Sequence, residues 1–149
     1  MPSLILRGVG NALAHSGAGA GVPKVLILNG TLDRETGPAA APFSAMDFVQ
    51  AIAKAGTESR GVFGRDVVPS AEVRSYVTHL IYLDGSGAPT VDRERLWEVG
   101  IECIRVYGRR TEDGTGWRYD ENGLAQALEA LVGRKDGRVD RSRRNTLER

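Results

Sequence analysis

Two hydrophobic rhythms alternate along this chain. Short, mostly apolar runs occupy residues 25–28, 78–83 and 101–107. Between them lie longer stretches in which apolar residues return every three or four positions. The run at residues 25–28 skips the in-out alternation of a half-solvated strand and is expected to be buried on both faces, as in a parallel sheet; the other two read as a second and a third strand. The helical rhythm is clearest after Ser44, where Met46, Val49, Ile52 and Ala53 form an inward stripe that Gly56 can end. Leu4, Ile5, Val9, Ala12 and Leu13 suggest a helix over residues 3–15, weakened by Gly8 and Gly10. A short helix is expected over residues 70–76. Thr90 or Asp92 caps another, carrying Leu96 and Val99 and stopping at Gly100. Asp120 opens the last helix, with Leu124, Leu128 and Leu131 on one face and Gly133 as its stop. Residues 16–21, 57–69 and 109–118 read as connectors, the last a charged, glycine-containing loop.

Ser44 gives the sharpest local signal. With Asp47 three residues on it fits a capping box, Asp standing in for the usual Glu, and Phe43 and Phe48 hold the two positions of a hydrophobic staple.

Strands that alternate with helices predict an α/β fold, a Rossmann-like, mostly parallel sheet with flanking helices joined by right-handed crossovers. Three strands make a thin sheet for that class, and the chain opens on a helix-like segment. Residues 1–133 are therefore expected to be the C-terminal part of an incomplete α/β domain, one face of whose sheet lacks partners.

The 149 residues suffice for one core and carry a net charge of +1. That balance hides a tail: residues 134–149 hold seven basic and three acidic residues, leaving −3 on the rest. Its low apolar content predicts a disordered, solvated end, and no nucleic-acid partner is expected. Cys103 is the single cysteine, so no intrachain disulfide or cysteine-based zinc site can form, and a reducing, cytoplasmic setting fits best. No apolar run has the length of a membrane span, and Arg7 interrupts the only stretch resembling a signal peptide. A homo-oligomer that pairs an open sheet edge remains an alternative.

Familiar chemical signatures are missing. The Gly8, Gly10 and Gly17, Gly19, Gly21 patterns do not stand between a strand and a helix as a dinucleotide fingerprint requires, and no P-loop or nucleophile elbow occurs. His15 and His79 belong to no metal-binding pattern. The candidate chemistry lies after the first strand, at the carboxyl edge where open α/β sheets bind ligands. Asn29 stands at the strand tip and Asp33, Arg34, Glu35 and Thr36 follow at once. Arg34 can clamp a phosphate, Thr36 can donate to a phosphate oxygen, and Glu35 can accept from a sugar hydroxyl or water. A surface loop with an internal ion pair explains the same cluster equally well. For Asp47 capping already suffices, and Asp84, ending the second strand before Gly85, is either part of this edge or a turn residue.

The order Leu28-Asn29-Gly30-x-x-Asp33-Arg34-Glu35-Thr36, then Phe43-Ser44-Ala45-x-Asp47-Phe48, resembles the CofD-like family of 2-phospho-L-lactate transferases, which includes the YvcK-like gluconeogenesis factors. The Asp-Arg-Glu-Thr wording resembles its eukaryotic, especially fungal, branch. Residues 83–92, 100–101 and 119–128 resemble the family's closing strands and helix, so the likeness covers roughly residues 2–132 as the C-terminal half of a member. The family's opening strand, glycine-rich phosphate loop and metal-binding aspartate have no counterpart here. The Pro38 to Pro42 stretch also widens the spacing found in bacterial members.

The resemblance implies transfer of a phospholactyl-type group from a nucleotide-linked phosphoester to a deazaflavin-like alcohol. It implies Mg²⁺, with a ligand outside this chain. Asn29, Asp33, Arg34, Glu35, Thr36, Ser44 and Asp47 would face the nucleotide and substrate, and no catalytic base is assigned. The isolated chain is then expected to be inactive. The alternative within the family is a nucleotide-sugar-binding regulator of the YvcK type without transferase chemistry.

Overall fold

The computed structural model describes residues 6, 8–16, 21–32, 36 and 40–139, with side chains through residue 133. Strands β1 (Val25–Ile27), β2 (His79–Tyr82) and β3 (Glu102–Arg105) form a parallel sheet in the order β1-β2-β3. Val25 stands opposite His79, and Tyr82 opposite Arg105. Parallel neighbours need a crossover. Helices α2 (Ala45–Glu58) and α3 (Ser70–Val73) lie between β1 and β2, and α4 (Arg93–Glu98) between β2 and β3. The chain is therefore α/β, with helices α1 (Val9–His15) before the sheet and α5 (Glu121–Val139) after it.

The apolar residues of the strands divide between two packed clusters. Leu28, Leu80 and Tyr82 meet Val49, Ile52 and Ala53 of α2, Val73 of α3 and Leu96 of α4. Ile81 and Val106 meet Ala127 and Leu131 of α5, with Val25, Ile104, Leu124 and Leu128 packed around them. The sheet is thus sandwiched between the crossover helices and α5. Burying a side chain such as Leu80 contributes on the order of 2 kcal/mol. The both-faces-buried expectation fails at β1. Its Ile27 is 41% exposed, because β1 is an edge strand and α5 packs chiefly over the β2 and β3 side.

Ser44 caps α2 as expected. Asp47 Oδ2 accepts the Ser44 N–H and the Ser44 hydroxyl, both at 2.7 Å, and the Phe43 and Phe48 rings meet edge-to-face at 5.7 Å between centroids. Gly56 does not end this helix, which runs on to Glu58. The glycine is needed for close approach instead: a Cβ there would stand 2.5 Å from Tyr76 Cδ1, and one on Gly10 of α1 would overlap the Gly56 carbonyl. Past α2, the Gln50 side chain acts as a strand partner for one residue. Its Nε2 donates to the Val68 carbonyl at 3.2 Å and its Oε1 accepts the Val68 N–H at 2.9 Å. This fixes the return of the 59–69 loop, where Val68 is buried.

Two other expectations are corrected. Residues 109–118 are not a plain loop: β4 (Gly108–Arg110) and β5 (Trp117–Tyr119) pair as an antiparallel hairpin. Nor does Gly133 stop α5, which continues to Val139. Gly133 is absent from the glycines with positive φ, so it sits in ordinary helical backbone, where glycine is costly yet allowed. By contrast Gly100, at φ 79°, ends the turn after α4, whose N-cap Asp92 accepts the Arg95 N–H at 3.1 Å. The expected helix over residues 3–15 is described only as α1, and the connector at residues 17–20 lies outside the described residues.

Candidate functional site

Three successive strands deliver polar residues to one edge of the sheet. Asn29 follows β1 and is exposed, Asp84 follows β2, and Arg105 ends β3 with Tyr107 just beyond. Arg105 Nη1 lies 3.5 Å from Asp84 Oδ2, and its guanidinium sits 5.6 Å from the centroid of the Tyr107 ring. Both charged groups are mainly solvent-facing, so this pair adds little stability. It does hold a cation and a carboxylate at the carboxyl edge.

The loops leaving β1 and β2 run side by side. Leu32 N–H donates to the Gly87 carbonyl at 2.9 Å, and Ala45 N–H to the Thr90 carbonyl at 2.8 Å. Phe43 N–H donates to the Thr36 carbonyl at 2.9 Å, which closes the loop just before the N-terminus of α2. The start of that 14-residue helix is thereby brought beside the strand exits. Its leading N–H groups and the partial positive charge of the helix start favour anions nearby. Within it, Ser44 and Asp47 bind one another in the capping box, so the structure accounts for both without a ligand. Residues 33–35, which include Asp33, Arg34 and Glu35, lie outside the described residues.

The hairpin shapes this edge, and reading residues 109–118 as a loop missed its part. Trp117 packs where Gly30 and Gly85 leave room. A Cβ on Gly85 would stand 2.5 Å from the indole nitrogen, and one on Gly30 would overlap the Trp117 carbonyl. Gly116 similarly admits the Thr31 methyl, 2.5 Å from where a Cβ would be. Tyr119, on the same face of the hairpin as Trp117, donates to the Leu28 carbonyl at 2.6 Å and lies 3.2 Å from the Ile81 carbonyl. Burial pushes the Tyr119 phenol up to about 12. The signal that could have found this element is the alternation Trp117-Arg118-Tyr119, placed after a glycine-containing turn at Asp113-Gly114.

On the outer face of the hairpin Arg109 and Arg118 stand directly opposite each other. Arg109 Nη2 donates to Asp120 Oδ1, while Asp120 Oδ2 accepts the Gly123 N–H at 3.1 Å as the cap of α5. The Gly123 N–H, with Arg109 beside it, holds the Asp120 carboxyl below the usual range. The groove here, of about 330 Å³, balances Arg109, Arg110 and Arg118 against Glu112, Asp120 and Glu121, so its charge selects neither sign of ligand.

At the opposite, amino edge, Thr78 Oγ1 lies 2.8 Å from His79 Nδ1, and His79 Nε2 lies 3.8 Å from Glu102 Oε2. The same Thr78 oxygen accepts the Lys24 N–H at 2.8 Å. A hydroxyl tied to backbone in this way is a strand-pairing device. Among the described residues no three His, Cys, Asp or Glu side chains gather as a metal site. The Mg²⁺ that the resemblance implies has its expected ligand outside this chain. No helix of the described residues is long and apolar enough to cross a membrane. Compared with known proteins, the chain matches no family model, no curated protein and no solved structure.

Proposed function

We propose that this chain supplies the distal wall of a cleft for a nucleotide-linked phosphoester in a Rossmann-like protein of the CofD-like transferase kind. One observation carries the reading. Asn29, Asp84 and Arg105 stand at the exits of three successive parallel strands, beside the start of α2. Ligands of open α/β sheets bind outside the carboxyl ends of strands, where side chains from several loops converge. Transfer of a phosphorus-containing group requires positioning and neutralisation of phosphate oxygens more than covalent help from protein side chains.

In this reading Asn29 orients the ligand by hydrogen bonding and Arg34 neutralises a phosphate oxygen. Thr36 donates to another oxygen. Ser44 and Asp47 act by holding the start of α2 in place, and Trp117 and Tyr119 act by holding the strand exits. The acceptor is a deazaflavin-like alcohol, by the resemblance of residues 28–48 to that family.

The test is calorimetry with ADP, GDP and UDP, comparing the natural chain with Asn29→Ala and Arg34→Ala. Each substitution is expected to weaken nucleotide binding about tenfold or more, as loss of a charge-assisted or directed hydrogen bond does. The urea midpoint should not move. Unchanged affinity in Arg34→Ala would remove that residue from the site, and unchanged affinity in both would remove the proposal.

A further inference from the structure

Among the described residues β3 pairs only with β2, and the carboxyl-edge site does not use its outer side. Glu102 N–H donates to the Thr78 carbonyl and Val106 N–H to the Tyr82 carbonyl, both at 3.0 Å. Backbone groups of alternate residues point to opposite sides of a strand, so those of Cys103 and Arg105 point away from β2. No strand of the described residues lies on that side. Beside this edge runs an open groove of about 800 Å³ between α4 and β3, floored by Ile101 and Cys103. Glu94, Trp97 and Glu98 of α4 line it. Their spacing of three and four residues places them on one face of the helix. Trp97 is 72% exposed, the largest apolar side chain left in solvent among the described residues.

Charge selects the occupant. Glu94 and Glu98 form no ion pair among the described residues, and Arg93 is the one cation lining the groove. Glu102, also in the lining, faces His79. A second copy of the chain would bring only the same α4 carboxylates toward the groove, where like charges repel. A cationic segment meets no such penalty, and an indole face beside it attracts ammonium and guanidinium groups.

We propose that the open edge of β3 takes up an extended peptide segment rich in Lys or Arg from a partner protein, as a fourth strand of the sheet. The Cys103 and Arg105 backbones supply the pairing. Trp97 packs on the stems of the peptide's basic side chains, and Glu94 and Glu98 receive their charges.

The probe is a soluble peptide that alternates Arg with Thr or Val, compared with one carrying Glu in place of Arg. A third version keeps Arg but is N-methylated on the pairing side. The readouts are tryptophan fluorescence and amide hydrogen exchange. The Arg peptide should shift Trp97 emission to the blue and slow exchange at Cys103 and Arg105, while the Glu and N-methylated peptides fail. Trp97→Ala should weaken binding about tenfold, the size of an aromatic anchor's contribution. Glu94→Lys combined with Glu98→Lys, both exposed changes, should reverse the preference toward the Glu peptide. Equal binding of the Arg and Glu peptides, or binding that leaves the Cys103 and Arg105 amides unprotected, overturns the proposal. So does concentration-dependent burial of Trp97 without peptide, which assigns the edge to a second copy. Tighter peptide binding after removal of residues 140–149 overturns it too, because the chain's own tail is then the occupant.

Discussion

The Tyr119 hydroxyl donates to the Leu28 carbonyl across 2.6 Å, joining residues that are 91 positions apart in the chain. Leu28 is the last buried residue before the candidate site, and its own N–H donates to Ile81 at 3.0 Å. One phenol from the hairpin thus ties the exits of β1 and β2. Tyr119→Phe removes the donor and keeps the ring. It should lower stability by about 1 kcal/mol, read as a lower urea midpoint with an unchanged slope. A midpoint equal to that of the natural chain would contradict this role.

The same group sets an alkaline limit. Burial raises the folded-state phenol from 10.0 to about 12, so the unfolded chain loses this proton first as pH rises. Stability is then full below about 10 and falls as pH climbs through 10 toward 12. Ultraviolet difference titration should show one of the tyrosines ionising late, and that late phase should vanish in Tyr119→Phe. An acid counterpart is Asp113, in the hairpin turn. The hydroxyls of Thr111 and Thr115 and the Thr115 N–H hold its carboxyl at about 2, down from 3.8. The hairpin should therefore loosen only as pH falls below about 3.8 toward 2, observed as lost dispersion of the residue 111–116 amide signals.

Ser44 and Asp47 form a reciprocal cap, so their substitutions should not add. Ser44→Ala and Asp47→Ala are each expected to cost about 1 kcal/mol, and the double variant clearly less than the sum. Additive losses would mean that the hydrogen bonds at 2.7 Å between them contribute independently.

Gly85→Ala probes the fit of the hairpin. The new methyl group meets the Trp117 indole, and overpacking of this kind costs typically 1–3 kcal/mol, so about 2 kcal/mol is expected. In a Trp117→Ala background the added cost of Gly85→Ala should nearly disappear. A full cost in both backgrounds would place the strain elsewhere.

Gln50→Leu keeps the side-chain bulk on α2 and leaves the Val68 N–H and carbonyl without their partner. A loss of about 1–3 kcal/mol is expected, with faster hydrogen exchange confined to residues 59–69.

The sequence carried the regular elements well where local signals agreed. The capping box, the staple, the Asp92 and Asp120 caps and the three apolar runs each correspond to an observed feature. What it did not carry depends on residues far apart. Gly56 has the local look of a helix stop, but the Tyr76 ring makes it a contact point, which only the tertiary packing reveals. The hairpin is three residues per strand with arginines on its outer face, so alternation was short and charge suggested a loop. Ile27 reads as buried from its neighbours, yet an edge strand leaves it half open. Of the candidate site, Asn29 stands exposed at the strand tip, Thr36 closes the loop through its carbonyl, and Ser44 and Asp47 form the cap. Arg105 and Tyr107 belong to no motif, and their placement beside Asp84 follows from strand register.

The most direct test of the carboxyl-edge cleft is to add ADP, GDP or UDP to the isotopically labelled chain and follow its amide and side-chain signals by NMR. Saturable shifts are expected at Asn29, Gly30, Asp84, Ala45 and the Arg105 guanidinium, and they should be lost in Arg34→Ala. Saturable shifts confined to the arginine face of the hairpin, or no shifts with any of the three at millimolar concentration, would contradict the account.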